Sequence, residues 1–208
     1  MGHVITIAQQ KGGSGKTTLA VNLAVAFSRL GLTVSLLDTD PQGSLGRWFL
    51  TRRDRLGAPG MDLSTASAWG VSYECEKLKK LNDIVLIDTP PKVDADLRPA
   101  LREADLVLIP VASSHVDLWA TDGVLDLVSR ENRKALVVLN RTKAGTRLGE
   151  DVARAAGDLA EVAKSRLGQR VVYAESMGQG LAAQEAGKSP AADEVAALVA
   201  EVQALLQR

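Results

Sequence analysis

Lys11-Gly12-Gly13-Ser14-Gly15-Lys16-Thr17-Thr18 stands directly after the apolar run Val4-Ile5-Thr6-Ile7-Ala8 and directly before a segment of helical character, from about Thr17 to Leu30. In order, this reads as a strand, a phosphate loop and a helix. Closely spaced glycines let successive backbone N–H groups turn inward on phosphate oxygens, and the following helix adds the positive end of its dipole. Side chains there would crowd the nest. Lys16 has the reach for β- and γ-phosphates, and the Thr17 hydroxyl stands where it can ligate Mg²⁺. The expected nucleotide contacts in the loop are therefore Lys11, Gly12, Gly13, Ser14, Gly15, Lys16, Thr17 and Thr18. An ordinary glycine turn is the competing reading.

Working outward, Gly31 supplies a helix stop and Thr33–Leu37 reads as a second strand, ending at Asp38-Thr39-Asp40-Pro41-Gln42. Ile84–Ile87 runs into Asp88-Thr89-Pro90-Pro91, Leu106–Ile109 into Pro110, and Ala135–Leu139 into Asn140; Val171–Tyr173 is expected to be the last core strand. These runs are continuously apolar rather than alternating, as in strands covered on both faces, and helix-length segments separate them. The expectation is an α/β fold: a single-domain P-loop NTPase spanning residues 1–208, its mostly parallel, twisted sheet carrying helices on both faces. Polar residues cluster just past the strand ends, where ligands bind in open α/β sheets. Residues 52–81 read as an irregular connection with a weak edge strand and a short helix around Glu74 to Leu81, and the final helix as about Ala191 to Gln207.

Asp88, closing a buried apolar strand, suits a carboxylate that holds Mg²⁺ directly or through water. Asp38 and Asp40 before Pro41 can be turn formers. Asn140, closing its apolar run, can be a turn residue.

The loop departs from the general G-x-x-x-x-G-K-[ST] pattern: Gln10 occupies the first glycine position and an extra lysine, Lys11, stands inside. In this it resembles the deviant Walker A motif of the ParA/MinD family of ATPases, in which the added lysine reaches into the nucleotide site of a partner subunit. The resemblance covers nearly the whole chain, including Ser113, Asp117 and the Glu185-Ala186-Gly187-Lys188 segment, and suggests the small, standalone ParA type. It implies ATP and Mg²⁺ as cofactors, an ATP-dependent nucleotide-sandwich homodimer, and an ATPase whose catalytic residues are Lys11, Lys16 and Asp40. By the same resemblance Asp40 orients the attacking water, Asp38 is a Mg²⁺-water partner, Thr17 and Asp88 serve the metal, and Asp88–Pro91 is a switch that reports the γ-phosphate. Asn140 would read adenine, under a loop from Ala174 to Gly180.

Composition narrows the class. With 46% hydrophobic and 24% charged residues the chain supports a sizeable core. No apolar run approaches the roughly 18 to 20 residues of a membrane span, and the N-terminus lacks the pattern of a signal peptide, so a cytoplasmic protein is expected; the resemblance to ParA-type members implies association with the nucleoid. One cysteine, Cys75, excludes a disulfide framework, a CxxC site and the paired-cysteine cluster of the nitrogenase iron protein. His3 and His115 are isolated and read as surface or packing residues.

Twenty-five basic residues balance 25 acidic ones, so any polyanion site must be a local patch. Arg130, Arg133, Lys134, Arg141, Lys143 and Arg147 form one cluster; Lys164, Arg166 and Arg170, with Lys188, form the preferred set of DNA contacts. Such clusters are also ordinary solvated faces. The final helix carries Asp193, Glu194 and Glu201 with only Arg208 as a late positive charge, unlike the lipid-binding basic helix of MinD-like members, and no membrane contact is expected.

The resulting expectation is a switch ATPase that binds non-specific DNA in its ATP state and positions or segregates a cargo. The cargo would be a plasmid, a chromosome or a protein cluster, with slow hydrolysis stimulated by a ParB-like or other cargo-bound adaptor. The alternatives are a MinD-like membrane-associated positioning ATPase and a metabolic P-loop ligase of the dethiobiotin synthetase kind, which Lys11 and Asp40-Pro41-Gln42 argue against.

Overall fold

The apolar runs become strands: His3–Ile7 (β1), Val34–Asp38 (β2), Asp62–Thr65 (β3), Ile84–Asp88 (β4), Leu106–Ala112 (β5) and Ala135–Asn140 (β6). In this computed structural model, which describes residues 2–91 and 97–207, they form one sheet in the order β3-β2-β4-β1-β5-β6. Every neighbouring pair is parallel. Arg208, the late positive charge of the final helix, lies outside the described residues.

Residue alternation shows why the runs are continuously apolar. Ile84 and Leu86 of β4, Leu106 and Leu108 of β5, and Leu136 and Val138 of β6 pack with α1 (Lys16–Arg29) and with the C-terminal helix Pro190–Leu206. Their neighbours turn to the other face. Val107, Ile109, Val137 and Leu139 meet Leu97, Leu101, Val124 and Val152, while Val85 and Ile87 meet Val71, Cys75 and Leu78. With both faces covered there is no solvent side to encode as a polar stripe. The helix α1 is buried almost all round, Leu19 through Phe27 being inaccessible, because it is clasped between the sheet and the C-terminal helix.

The remaining helices are α2 (Ser44–Leu56), α3 (Gly70–Leu81), α4 (Leu97–Glu103), α5 (His115–Trp119), α6 (Asp122–Arg130), α7 (Arg147–Leu159), α8 (Val171–Gly178) and α9 (Pro190–Leu206). The poorly legible stretch from residue 52 holds the last part of α2, the edge strand β3 and a helix α3 that begins at Gly70, a turn earlier than Glu74. The start of α9 is written in Ser189, whose side chain accepts from the Ala192 N–H, and in Pro190 at the first helical position.

Val171–Tyr173 corrects the expectation of a last strand: these residues open α8. The sheet is instead extended beyond β6 by irregular backbone, with parallel bridges Val137↔Val162 and Thr142↔Gly168. The β-branched pair at 171–172 suits either state. What decides is Tyr173, whose buried hydroxyl donates to the Ala191 carbonyl (3.3 Å) and meets Glu194 Oε2 at 3.1 Å, docking this segment on α9 instead of the sheet. The stretch Ala174–Gly180, expected as a loop, is accordingly mostly the rest of α8.

Candidate functional site

The carboxyl ends of β1, β2, β4 and β6 converge at one edge of the sheet. Register places Ile7 beside Asp88 and Asp38 beside Asp88, so the loop that leaves β1 emerges next to both carboxylates. Hydroxyl bonds lock these ends together. Thr39 Oγ1 donates to the Asp88 carbonyl (2.9 Å) and Thr89 Oγ1 to the Ile7 carbonyl (2.8 Å).

Within the loop, Gly15 is required twice over. Its φ is +94°, which side chains avoid, and an added Cβ would stand 2.4 Å from Asn140 Nδ2. Lys16 is buried and its Nζ donates to the Gln9 carbonyl at 3.0 Å. Burial lowers its pKa, opposed by the charges of Asp88 and Asp40. Thr17 Oγ1 donates to Asp88 Oδ2 at 2.7 Å. Asp88 is fully buried; burial raises its carboxyl to about 7, against the Thr17 hydrogen bond, which lowers it. Its other oxygen, Oδ1, has no hydrogen-bond partner among the described residues. An orphaned carboxylate oxygen beside a threonine hydroxyl suits a divalent cation, which would supply the missing partner and keep Asp88 ionised. The loop fits a phosphate group equally well: a Cβ on Gly12 or Gly13 would meet nothing within 4 Å, so space lies open over their backbone.

Asp38 and Asp40 divide their work. Both Asp38 oxygens accept backbone N–H groups, from Asp40 (3.0 Å) and from Gly46 (3.0 Å). Burial raises its pKa, those two hydrogen bonds opposing. Asp38 thus fixes the turn and the first residues of α2. Asp40 is half-buried; its Oδ1 accepts from the Gln42 N–H at 2.9 Å, the bond expected of a turn former, while no hydrogen bond to its Oδ2 is found among the described residues.

Lys11 turns away from its own loop and pairs with Asp117 of α5, Nζ to Oδ1 2.6 Å. Asp117 is held in turn by Ser114, whose hydroxyl is bonded to Asp117 Oδ2. Asn140 is wholly engaged within the chain: Nδ2 donates to the Ser14 carbonyl (2.9 Å) and Oδ1 accepts from the Arg141 N–H (2.8 Å). Here it braces the loop against the end of β6. Beside it lies a cavity of about 200 Å³, lined by Gly15, Thr18, Asn140, Arg141, Arg170 and Tyr173 among others. Arg141 enters it with φ at +53°, an uncommon setting for a residue with a side chain.

The basic clusters fare differently. Arg130, Arg133 and Lys134 lie before β6, whereas Arg141, Lys143 and Arg147 lie after it, so that cluster is split by the length of a strand, roughly 20 Å. Arg166 pairs with Glu150 (2.7 Å) and Arg170 with Glu194 (2.5 Å). Lys164 is exposed, and Lys188 sits apart on the rim of a groove between α1 and α9. Among the described residues Lys143, Arg147 and Lys164 have no ion-pair partner.

Two contributors carry no sequence signal. Gln9 is buried and joins the loop to β5 and α6, its Nε2 donating to the Pro110 carbonyl (3.3 Å) and to Thr121 Oγ1 (3.2 Å). Arg52 of α2 makes a two-toothed bond to Glu185 (2.7 and 2.8 Å), also donates to the carbonyls of Pro59 and Gly180, and lies over Trp48. Gly180 lets its segment pack against the backbone of α2, since a Cβ there would come within 2.4 Å of the Arg52 backbone nitrogen.

The profile of the CobQ/CobB/MinD/ParA nucleotide binding domain matches residues 5–182. The chain is 30% identical over 213 residues to Maintenance of carboxysome distribution protein A of Halothiobacillus neapolitanus, covering 95% of each protein. It is 34% identical to the chromosome-partitioning ATPase Soj of Thermus thermophilus over 58% of this chain and 59% of Soj. The solved structure of apo McdA from Cyanthece superposes with a TM-score of 0.82 at 18% identity, covering 98% of this chain and all of that one, and shares its fold.

Proposed function

The chain belongs to the CobQ/CobB/MinD/ParA nucleotide-binding family and is an ATPase of its ParA/MinD branch, with ATP and Mg²⁺ as cofactors; from that premise we propose that it is a dimerising switch that positions or segregates a cargo along DNA. The observation that carries this reading is Lys11. A lysine inside the loop that turns outward to Asp117 rather than inward over the cradle is a group available to a second subunit once that ion pair opens. The 208 residues would act as one unit.

In this reading the loop backbone from Gly12 to Thr18 and the Lys16 ammonium hold the β- and γ-phosphates. Thr17 and Asp88 hold Mg²⁺, which supplies charge neutralisation on the phosphate oxygens, and Asp38 acts on the metal only through water because its carboxylate is spent on backbone N–H groups. Asp40, with one carboxylate oxygen tethered by Gln42, orients the attacking water with the other. Asn140 holds Ser14 in place and reaches adenine only by exchanging that bond, so its role is to shape the base pocket with Arg141 and Tyr173. The ATP-bound homodimer would bind DNA without sequence preference and release it after hydrolysis stimulated by an adaptor on the cargo, with no membrane contact. Among the described residues no helix is long and apolar enough to cross a bilayer.

The deciding measurement is retention on non-specific duplex DNA with ADP, ATP or a non-hydrolysable analogue across a salt series. ATP-dependent, salt-sensitive retention is expected; no retention in any state removes DNA from the proposal. Lys11→Gln should bind ATP and remain monomeric, and a normal dimer by light scattering would remove the cross-subunit role.

A further inference from the structure

The helix α3 buries one apolar face and carries two bare aromatic side chains among charged ones on the opposite side. Val71, Cys75 and Leu78 are buried against the sheet. On the far side, at about 100° per residue, Trp69, Tyr73, Lys77 and Lys80 form a second stripe, with Glu76 beside them and Leu81 on its flank. Its large side chains are bare: Trp69 is 88% exposed, Tyr73 73% and Leu81 70%. Bare tryptophan and tyrosine side chains opposite a covered face mark an interaction surface, since these are the side chains that anchor protein interfaces.

The backbone holds this surface out. Ala68, directly before Trp69, has φ at +44°, a conformation that costs free energy for alanine and persists only where its surroundings enforce it. Two turn bonds do so, from Gly70 N–H to the Ser67 carbonyl (3.0 Å) and from Val71 N–H to the Ala68 carbonyl (3.2 Å). Toward the C-terminal end, Tyr73, Glu76, Lys77, Lys80 and Leu81 enclose a shallow cleft of about 270 Å³. Lys80 has no ion-pair partner among the described residues, and Lys77 has only the exposed pair with Glu74, at 3.2 Å.

The surface is wired to the nucleotide site. Ser64 Oγ of β3 bonds Glu74 Oε1 of α3 at 2.6 Å; Thr65 is in register with Asp38; and the Ala66 N–H donates to the Asp38 carbonyl at 3.2 Å. Asp38 in turn fixes the turn that carries Asp40. A chain of contacts thus runs from α3 through β3 to the segment that carries Asp40.

We infer that the outer face of α3 is the docking site of a protein partner, an amphipathic segment with apolar anchors for Trp69 and Tyr73 and carboxylates for Lys77 and Lys80. The charge pattern selects this occupant: the cationic end of the stripe complements acidic side chains, and three apolar groups interrupted by Glu76 offer too little continuous apolar area for lipid. The partner's identity with the hydrolysis-stimulating adaptor rests on the function proposed above; the surface itself does not.

The test uses two synthetic 16-residue amphipathic helices with leucine and phenylalanine anchors four residues apart, one glutamate-rich and one lysine-rich, titrated against the full chain by fluorescence anisotropy. The acidic peptide should bind the wild type, and Trp69→Ser with Tyr73→Ser should weaken it by about tenfold or more. Lys77→Glu with Lys80→Glu should transfer preference to the basic peptide. Trp69 and Tyr73 are solvent-facing and outside the Ser64–Glu74 contact, so basal hydrolysis and ATP-dependent DNA retention should be unchanged in the Trp69→Ser, Tyr73→Ser variant. Failure of the acidic peptide to bind the wild type, equal binding of both peptides, or indifference to the substitutions overturns the proposal. So does a wild-type chain that self-associates, or binds anionic vesicles, through Trp69 and Tyr73. Peptide binding as expected in a protein that neither hydrolyses ATP nor binds DNA would remove the functional reading and leave the surface standing.

Discussion

The phosphate loop with its strand ends and the cationic flank formed by β6, the 162–170 segment and α8 both expose polar groups at the same edge of the sheet, yet they are built on opposite principles. In the first, Lys16 is buried and bonded to the Gln9 carbonyl, Thr17 is bonded to the buried Asp88, strand register fixes the carboxylate, and one of its oxygens is left over. In the second, Arg166 and Arg170 are exposed and already paired to Glu150 and Glu194. A buried carboxylate oxygen with a missing partner needs an explanation, and beside the Thr17 hydroxyl a bound cation supplies it. An exposed charge with a partner demands nothing, since such pairs contribute little and exchange readily.

The largest expected effect tests the first region. Lys16→Ala should lower ATP hydrolysis by about 10² to 10³, the usual consequence of losing one aimed electrostatic donor, with nucleotide affinity falling too. Asp40→Ala should reduce turnover by a similar factor while ATP binding and ATP-dependent dimerisation persist. Wild-type turnover in the Asp40 variant would reduce that residue to the turn former its bond to Gln42 describes, and the division of labour between Asp38 and Asp40 would fall with it.

Next in size is the Arg52–Glu185 clamp, which is buried like the loop but asks for no ligand. Arg52→Met leaves the carboxylate without its cation and should cost about 3 kcal/mol of stability, lowering the melting temperature by roughly 6 to 12 °C. Hydrolysis below the transition should hardly change; a larger loss of activity than of stability would show that α2 transmits strain to the Asp38 turn through Gly46.

The clamp also carries a pH signature. Burial alone would raise the Glu185 carboxyl, but the Arg52 bond and the Ala182 N–H outweigh it and leave the pKa below the ordinary value. A depressed pKa contributes stability in full above the unfolded value, about 4.3, and loses it as pH falls through the folded one. Acid unfolding of the wild type should therefore steepen below that point, whereas in Arg52→Met, where the lowering bond is gone, the stability deficit relative to the wild type should shrink as pH falls and the acid limb should be shallower. Identical acid limbs in the two proteins would mean that the pair is not what resists acid.

Legibility in the sequence follows the same division. The loop, both aspartate motifs and the parallel sheet can be read because each is a contiguous run whose meaning is fixed by local backbone geometry. Asn140 stands where the pattern places it, yet its bond to Ser14 spans 126 residues and no local pattern carries it. The Arg52–Glu185 pair is 133 residues apart and equally silent. Val171–Tyr173 misleads because its β-branched pattern is local, whereas the interaction that makes it helical, Tyr173 on α9, is not. The basic cluster around β6 is contiguous in sequence but not in space, since a parallel strand carries its two ends to opposite edges of the sheet.

The smallest effect separates paired from unpaired cations on the flank. If DNA binds here, each phosphate that the protein ceases to neutralise should flatten the dependence of log K on log salt by about 0.9. Arg166→Gln with Arg170→Gln removes charges whose fields Glu150 and Glu194 already cancel, and exposes those carboxylates. That variant should change affinity while flattening the slope by less than two neutralised phosphates would. Lys143→Gln, Arg147→Gln and Lys164→Gln together remove cations that have no partner among the described residues, and should flatten the slope by more. A greater flattening from the paired arginines would show that they exchange carboxylate for phosphate on binding. Their ion pairs would then be placeholders, and the contrast between a buried site that lacks a ligand and a surface that is already satisfied would no longer hold.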